Sequence, residues 1–308
     1  MSLVLSILPV LFTVIGGYAL AATRVLPRER WEAIDLLCFR MLMPAVLIRV
    51  IATSDLDLGK VGGMVWALFG TLIVAAVLVF ALRGLIDRQK LPDPSFSTMV
   101  QTTTRFNGFM ALAAAEALSD NSTVALVAIA MAILVPFLNV GNIIVLAAYG
   151  TARPNWKGVL LITLKNPLVQ SCVIGFAFNL SGVALPAVLD GTLELIGRAA
   201  FSVGLLAVGA SLGLRRLLLP RPVLLLGLVL RPGLVVCLFL ALAHILALGP
   251  VEMLAGILVF IVPTAANGYI VARQMGGDSD LYADTMTWQT VLSMVTLPAL
   301  AVLLPYLG

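Results

Sequence analysis

The sequence predicts an all-α membrane protein: ten transmembrane helices built as two inverted five-helix repeats. Three observations lead there. Apolar stretches of membrane-crossing length recur along the whole chain, basic residues collect in alternate loops, and the same punctuation returns after about 160 residues.

Of the 308 residues, 61% are hydrophobic and only 11% charged, with a mean hydropathy of +1.10, well outside the soluble range. Crossing a hydrocarbon core of roughly 30 Å takes about 20 helical residues at about 1.5 Å each. Ten stretches qualify, near 2–22, 32–52, 61–82, 96–118, 122–148, 166–185, 191–213, 222–246, 252–274 and 283–306. The segments between them are too short to fold as separate soluble domains. The first stretch follows Met1-Ser2-Leu3 without a basic leader and is expected to be a mature span, not a cleaved signal peptide.

The loops set the orientation. Arg24, Arg28 and Arg30 lie in the first, Arg83, Arg88 and Lys90 in the third, and Arg153, Lys157 and Lys165 in the fifth. Arg215, Arg216 and Arg221 follow in the seventh and Arg273 in the ninth, whereas the even loops carry only Lys60. The positive-inside rule makes the odd loops cytoplasmic and places both termini outside. The same distribution turns the basic balance, pI near 9.2, away from nucleic acid, because the charges do not share one face with interleaved aromatics. Cys38, Cys172 and Cys237 stand singly in apolar segments and read as small buried residues; with His244 the only histidine, no metal site and no cofactor is expected.

The repeat divides the chain into residues 1–150 and 151–308. Leu8-Pro9, Gly17 and Pro27 find counterparts in Asn166-Pro167, Gly175 and Pro186. Thr104-Arg-Phe-Asn107-Gly108-Phe109 aligns with Thr264-Ala-Ala-Asn267-Gly268-Tyr269 at an offset of 160, and Pro136 in the fifth helix meets Pro298 in the tenth. Five helices per unit is an odd number, so the second copy enters the membrane from the opposite side. Inverted repeats suit alternating access around one central site.

The repeated Thr-x-x-Asn-Gly is where the helices should break. Glycine after asparagine loosens the helix, and Pro263 removes an amide donor one turn before Asn267. Broken backbone at mid-membrane depth is tolerated where it lines a cavity, and freed amides at half-helix ends favour an anion. Asn107 and Asn267 can each donate amide hydrogens to a carboxylate, with the hydroxyls of Thr104 and Thr264 nearby. The alternative is that these residues merely bridge neighbouring helices. Arg105 adds a positive charge that must be compensated, either by an acidic partner such as Glu116 or Asp284 or by an anionic substrate. Arg49 sits at a helix end and can snorkel; Arg40 and Arg231 read as deeper, and Arg231, before Pro232, fits a structural ion pair as well as transport. Asp284, Thr287, Thr290 and Ser293 form a stripe that could face a pathway or pack helices together.

The segment Val271-Ala-Arg273-Gln-Met-Gly276-Gly277-Asp278, preceded by Val262-Pro263-Thr264, is similar to the ninth-helix signature of the auxin efflux carrier family. Asn166-Pro167-Leu168, the stretch from Gly204 to Leu212, Pro44, and Leu292 to Pro298 extend the resemblance over most of the chain, and Arg105-Phe-Asn107 resembles bacterial members labelled malonate-type carriers. The resemblance implies crossing, broken fourth and ninth helices, a scaffold from helices 1, 2, 6 and 7, and a transport domain from helices 3–5 and 8–10. It also implies a homodimer in the bacterial inner membrane and a substrate carboxylate held by Asn107 and Asn267. Thr103 stands where relatives often carry the crossover proline, so the fourth helix is expected to bend less sharply than the ninth.

The expected function is a secondary transporter of small organic anions, mono- or dicarboxylates such as malonate, with Arg105, Asn107, Gly108, Thr104, Asn267, Gly268, Thr264 and Pro263 forming the site. Asp284, Glu116 and His244 are the groups available for proton coupling. The alternative is a sodium-coupled symporter or sodium/proton antiporter of similar architecture, which would need a carboxylate beside the breaks; none lies within 97–115 or 253–277, although backbone carbonyls could hold sodium. An intramembrane enzyme would need a nucleophile and base or a metal cluster, for which the sequence offers no set; a passive channel would lack saturable exchange.

Overall fold

The computed structural model describes residues 3–54, 58–119, 121–150, 161, 164–218 and 222–303. Arg153, Lys157 and Arg221, used above for orientation, lie outside them. Every regular element among the described residues is helical. In chain order they are α1 (Leu3–Ala22), α2 (Arg28–Leu37) running through a π turn into α3 (Met43–Thr53), α4 (Leu58–Leu85), α5 (Asp93–Thr104), α6 (Gly108–Leu118) and α7 (Asn121–Tyr149). Then come α8 (Pro167–Ser181), α9 (Ala187–Ala210), a 3-10 turn, α10 (Pro222–Leu228) running through a second π turn into α11 (Val236–Ile245), α12 (Pro250–Ile261), α13 (Asn267–Met275) and α14 (Ser279–Leu303).

Seven of the described helices are long and apolar enough to cross a membrane: Val4–Ala22, Glu29–Thr53, Val61–Leu85, Asn121–Tyr149, Ala187–Ala210, Pro222–Ile245 and Ser279–Leu303. Others are short for a reason. A helix of 12 residues such as α5 or α12 reaches only about 18 Å, so the predicted fourth and ninth helices each appear as two pieces laid in series, α5 with α6 and α12 with α13. The π turns, Cys38–Leu42 ahead of Pro44 and Val229–Val235 around Pro232, absorb the amide that each proline lacks without ending the helix.

Packing follows small residues. α1 lies along α9 with backbones touching: a Cβ on Gly17 would stand 1.9 Å from the Leu206 carbonyl oxygen, and one on Gly209 1.8 Å from that of Val14. α3 lies along α8, where the Asn179 side-chain amide donates to the carbonyls of Ile51, Ala52 and Ser54 at 3.0, 3.4 and 2.7 Å and closes the end of α3. α7 packs against both α5 and α12 and so supports both interruptions. Arg49, expected to snorkel, instead pairs with Asp190 and Glu194 on α9, half-exposed pairs of little energetic weight. Arg40 is exposed on the first π turn, which buries Cys38 and Leu42.

Candidate functional site

The interruptions fall on the repeated motifs. α5 ends at Thr104, the chain runs extended through Arg105 (φ −71°, ψ 148°), and Asn107 restarts the helix by accepting the Met110 amide on Oδ1 at 3.1 Å. α12 ends at Ile261 with Val262 extended (φ −73°, ψ 157°), and α13 starts at Asn267. The two breaks meet directly: the Asn107 amide donates to the Pro263 carbonyl at 2.8 Å.

Backbone groups released by the breaks are collected by three side chains from elsewhere in the fold. Gln289 on α14 accepts the Thr264 amide at 2.8 Å and donates to the Thr102 carbonyl at 3.3 Å. The Tyr282 hydroxyl donates to the Ala265 carbonyl at 2.6 Å and meets the Thr264 hydroxyl at 2.8 Å. Arg231, wholly buried, donates from Nε, Nη1 and Nη2 to the carbonyls of Val262, Thr103 and Val259. It is therefore in no ion pair among the described residues; it closes the C-terminal ends of α5 and α12 together.

On the other side of the breaks lies a cavity of about 920 Å³, lined among others by Arg105, Asn107, Gly108, Asn267, Phe109, Arg273 and Gln274. Arg105 is 5% exposed and its Nε has no hydrogen-bond partner. No carboxylate lies within ion-pair reach of it among the described residues. Of the two acids considered as its partner, Glu116 is exposed on α6, and Asp284 is buried on α14. Asn107 is buried with its oxygen committed to the helix cap, which leaves its NH2 group for a guest, while Asn267 is exposed to the cavity.

The remaining motif residues stand behind the cavity. The Thr104 hydroxyl donates to the Val100 carbonyl at 2.9 Å and accepts from Asn142 at 3.2 Å, next to a smaller apolar cleft. Thr264 and Pro263 are tied into the break as described. Gly268 makes room for Tyr282, whose hydroxyl would sit 2.0 Å from a Cβ there. His244 is exposed at the end of α11 and, like Glu116 and Asp284, does not line the cavity. Thr287, Thr290 and Ser293 donate to carbonyls of their own helix and are buried without lining the cavity.

Sequence reasoning missed the far wall. Glu32 and Asp35 on α2 line the cavity and are exposed to it, three residues apart and so on one helical face. That spacing was visible, but both acids sit at a predicted span edge, where charge attracts no notice.

Fold and site together define a helical multi-pass membrane protein with a polar cavity at paired helix interruptions. Residues 152–301 match the family model described as membrane transport protein, the family that the ninth-helix motif resembles. No curated protein matches the chain.

Proposed function

We propose that the chain is a secondary transporter of small organic anions, carboxylates of the malonate class and related mono- and dicarboxylates, operating by alternating access. In this reading ten spans form two inverted repeats, α5/α6 and α12/α13 are the crossing fourth and ninth helices, and helices 1, 2, 6 and 7 are the scaffold past which the rest moves. The protein sits as a homodimer in the bacterial inner membrane with both termini outside.

One observation carries the proposal. Arg105 is a buried cation at the edge of a cavity, short of a hydrogen-bond partner and in no ion pair among the described residues. An uncompensated charge at that depth costs about 2.5 to 3.5 kcal/mol on insertion scales, and a carboxylate from solution supplies what is missing through charge-assisted hydrogen bonds. The amide hydrogens of Asn107 and Asn267 and the start of α6 add donors on the same side. The cavity runs from the breaks toward Glu32 at the start of α2 and Arg273 at the end of α13, the side of the basic loops. With those loops cytoplasmic, this is the inward-open arrangement.

Thermal unfolding of purified protein against a panel of small carboxylates tests the reading, since a ligand that binds the folded state raises its stability by mass action. Malonate or a close relative should raise Tm in wild type and leave Arg105→Ala unmoved. Equal shifts in both proteins, or none with any carboxylate, would remove the anion assignment.

A further inference from the structure

The place where the two interruptions meet holds a second arginine whose surroundings say something about energy coupling. The carbonyls of Thr103, Val259 and Val262 converge from the ends of α5 and α12. A helix C-terminus carries about half a negative charge, so two of them meeting amount to about one. Carbonyl clusters at half-helix C-termini are where carriers built on broken helices coordinate sodium. Here the space among those oxygens is filled. Arg231 Nε, Nη1 and Nη2 lie 3.1, 2.9 and 3.1 Å from the oxygens of Val262, Thr103 and Val259.

Three details make this more than a helix cap. The guanidinium is completely buried, so no hydrated ion fits beside it. Its planar fork takes one oxygen per nitrogen from two different helices, a match that an ammonium on a flexible stem would not make. No carboxylate pairs with it among the described residues, so a single positive charge is answered by the two helix ends alone. The π turn Val229–Val235 delivers it, with Pro232 following immediately.

We infer that the Arg231 guanidinium is a tethered cation standing in the oxygen cluster that a coupling sodium ion would otherwise occupy, so that the carrier works without a monovalent cation at this point. The statement about the transport cycle rests on the anion-carrier reading above; the statement about the cluster does not. Loss of the tether should turn the cluster into a receptor for a free cation.

The test compares purified full-length wild type and Arg231→Ala by thermal unfolding in choline chloride, in sodium chloride, and in choline chloride with millimolar guanidinium. Wild type should unfold within about 1 °C in all three, while the variant should unfold several degrees lower in choline and recover with guanidinium or sodium. A wild type stabilised by sodium, or a variant that neither cation restores, overturns the inference. Should Arg231→Ala fail to fold, Arg231→Lys replaces it: its Tm should be lowered and indifferent to sodium, and a sodium-dependent rise would count as the opposite result. In proteoliposomes, wild-type uptake of labelled malonate should agree within about twofold between sodium and choline; a tenfold dependence on sodium overturns the inference as well. If wild type takes up no carboxylate in either salt, the anion reading fails and the unfolding measurements still decide the role of Arg231.

Discussion

Arg105 and Arg231 are both buried, both close to the same pair of helix breaks, and differ in what answers their charge. Arg231 has three carbonyls at hydrogen-bond distance and does not line the cavity at the breaks; Arg105 has an Nε without a partner and lines it. Either placement is expensive in a membrane, so each needs a compensating group. A cation whose partners are all built in holds structure together. One whose partners are incomplete beside an open space is a receptor, and burial alone does not separate the two.

The sharpest break of this comparison is a pair of alanine variants. Arg231→Ala strands three buried carbonyls and should cost about 3 kcal/mol or more of stability in denaturant or thermal unfolding. Arg105→Ala should stay within about 1 kcal/mol of wild type in the same assay, because it removes a charge that lacks partners. Its loss appears in carboxylate affinity, lower by about 100-fold, or about 2.7 kcal/mol. If Arg105→Ala unfolds as readily as Arg231→Ala, the distinction between the two arginines is wrong.

A smaller effect sharpens the structural side. Gln289→Leu leaves the Thr264 amide and the Thr102 carbonyl unpaired and should cost about 2 kcal/mol of stability. Because Gln289 does not line the cavity, the carboxylate affinity of the surviving folded protein should change less than that of Arg105→Ala; a larger change would move Gln289 into the binding site.

The smallest effects separate the two asparagines that the repeat makes equivalent. Asn107→Ala removes a helix cap and should cost about 1 kcal/mol of stability together with about tenfold in affinity. Asn267 makes no such cap, since the N-cap position of α13 is Ala266 and Asn267 is exposed, so Asn267→Ala should cost affinity alone. Equal stability losses in both would show that the second break is capped as the first is.

The breaks themselves were legible in the chain, because glycine and proline act locally and the pair Asn107-Gly108 and Asn267-Gly268 repeats at a fixed offset. What receives the freed backbone was not legible. Arg231, Gln289 and Tyr282 approach the breaks from α14 and from the π turn after α10, and no periodicity links them to residues 102–107 or 259–265. Arg231 read as a candidate for an ion pair because sequence shows charges and hides carbonyl ends. The threonines of the motif read as ligands for the same reason: hydroxyls look available until the helix carbonyl one turn back is placed, as Val100 is for Thr104. Glu32 and Asp35 went unnoticed because their wall faces the breaks only through tertiary packing.

Asn107 carries one more consequence. An asparagine carboxamide is ordinarily two-faced, offering an oxygen at one corner and hydrogens at the other, and would tolerate visitors of either polarity. With its oxygen held by the Met110 amide, this one shows the cavity hydrogens only. Fixing the head of α6 thus also biases this corner of the cavity toward guests that bring lone pairs, while acceptors for a guest's hydrogens stand on the far wall, at Glu32 and Asp35.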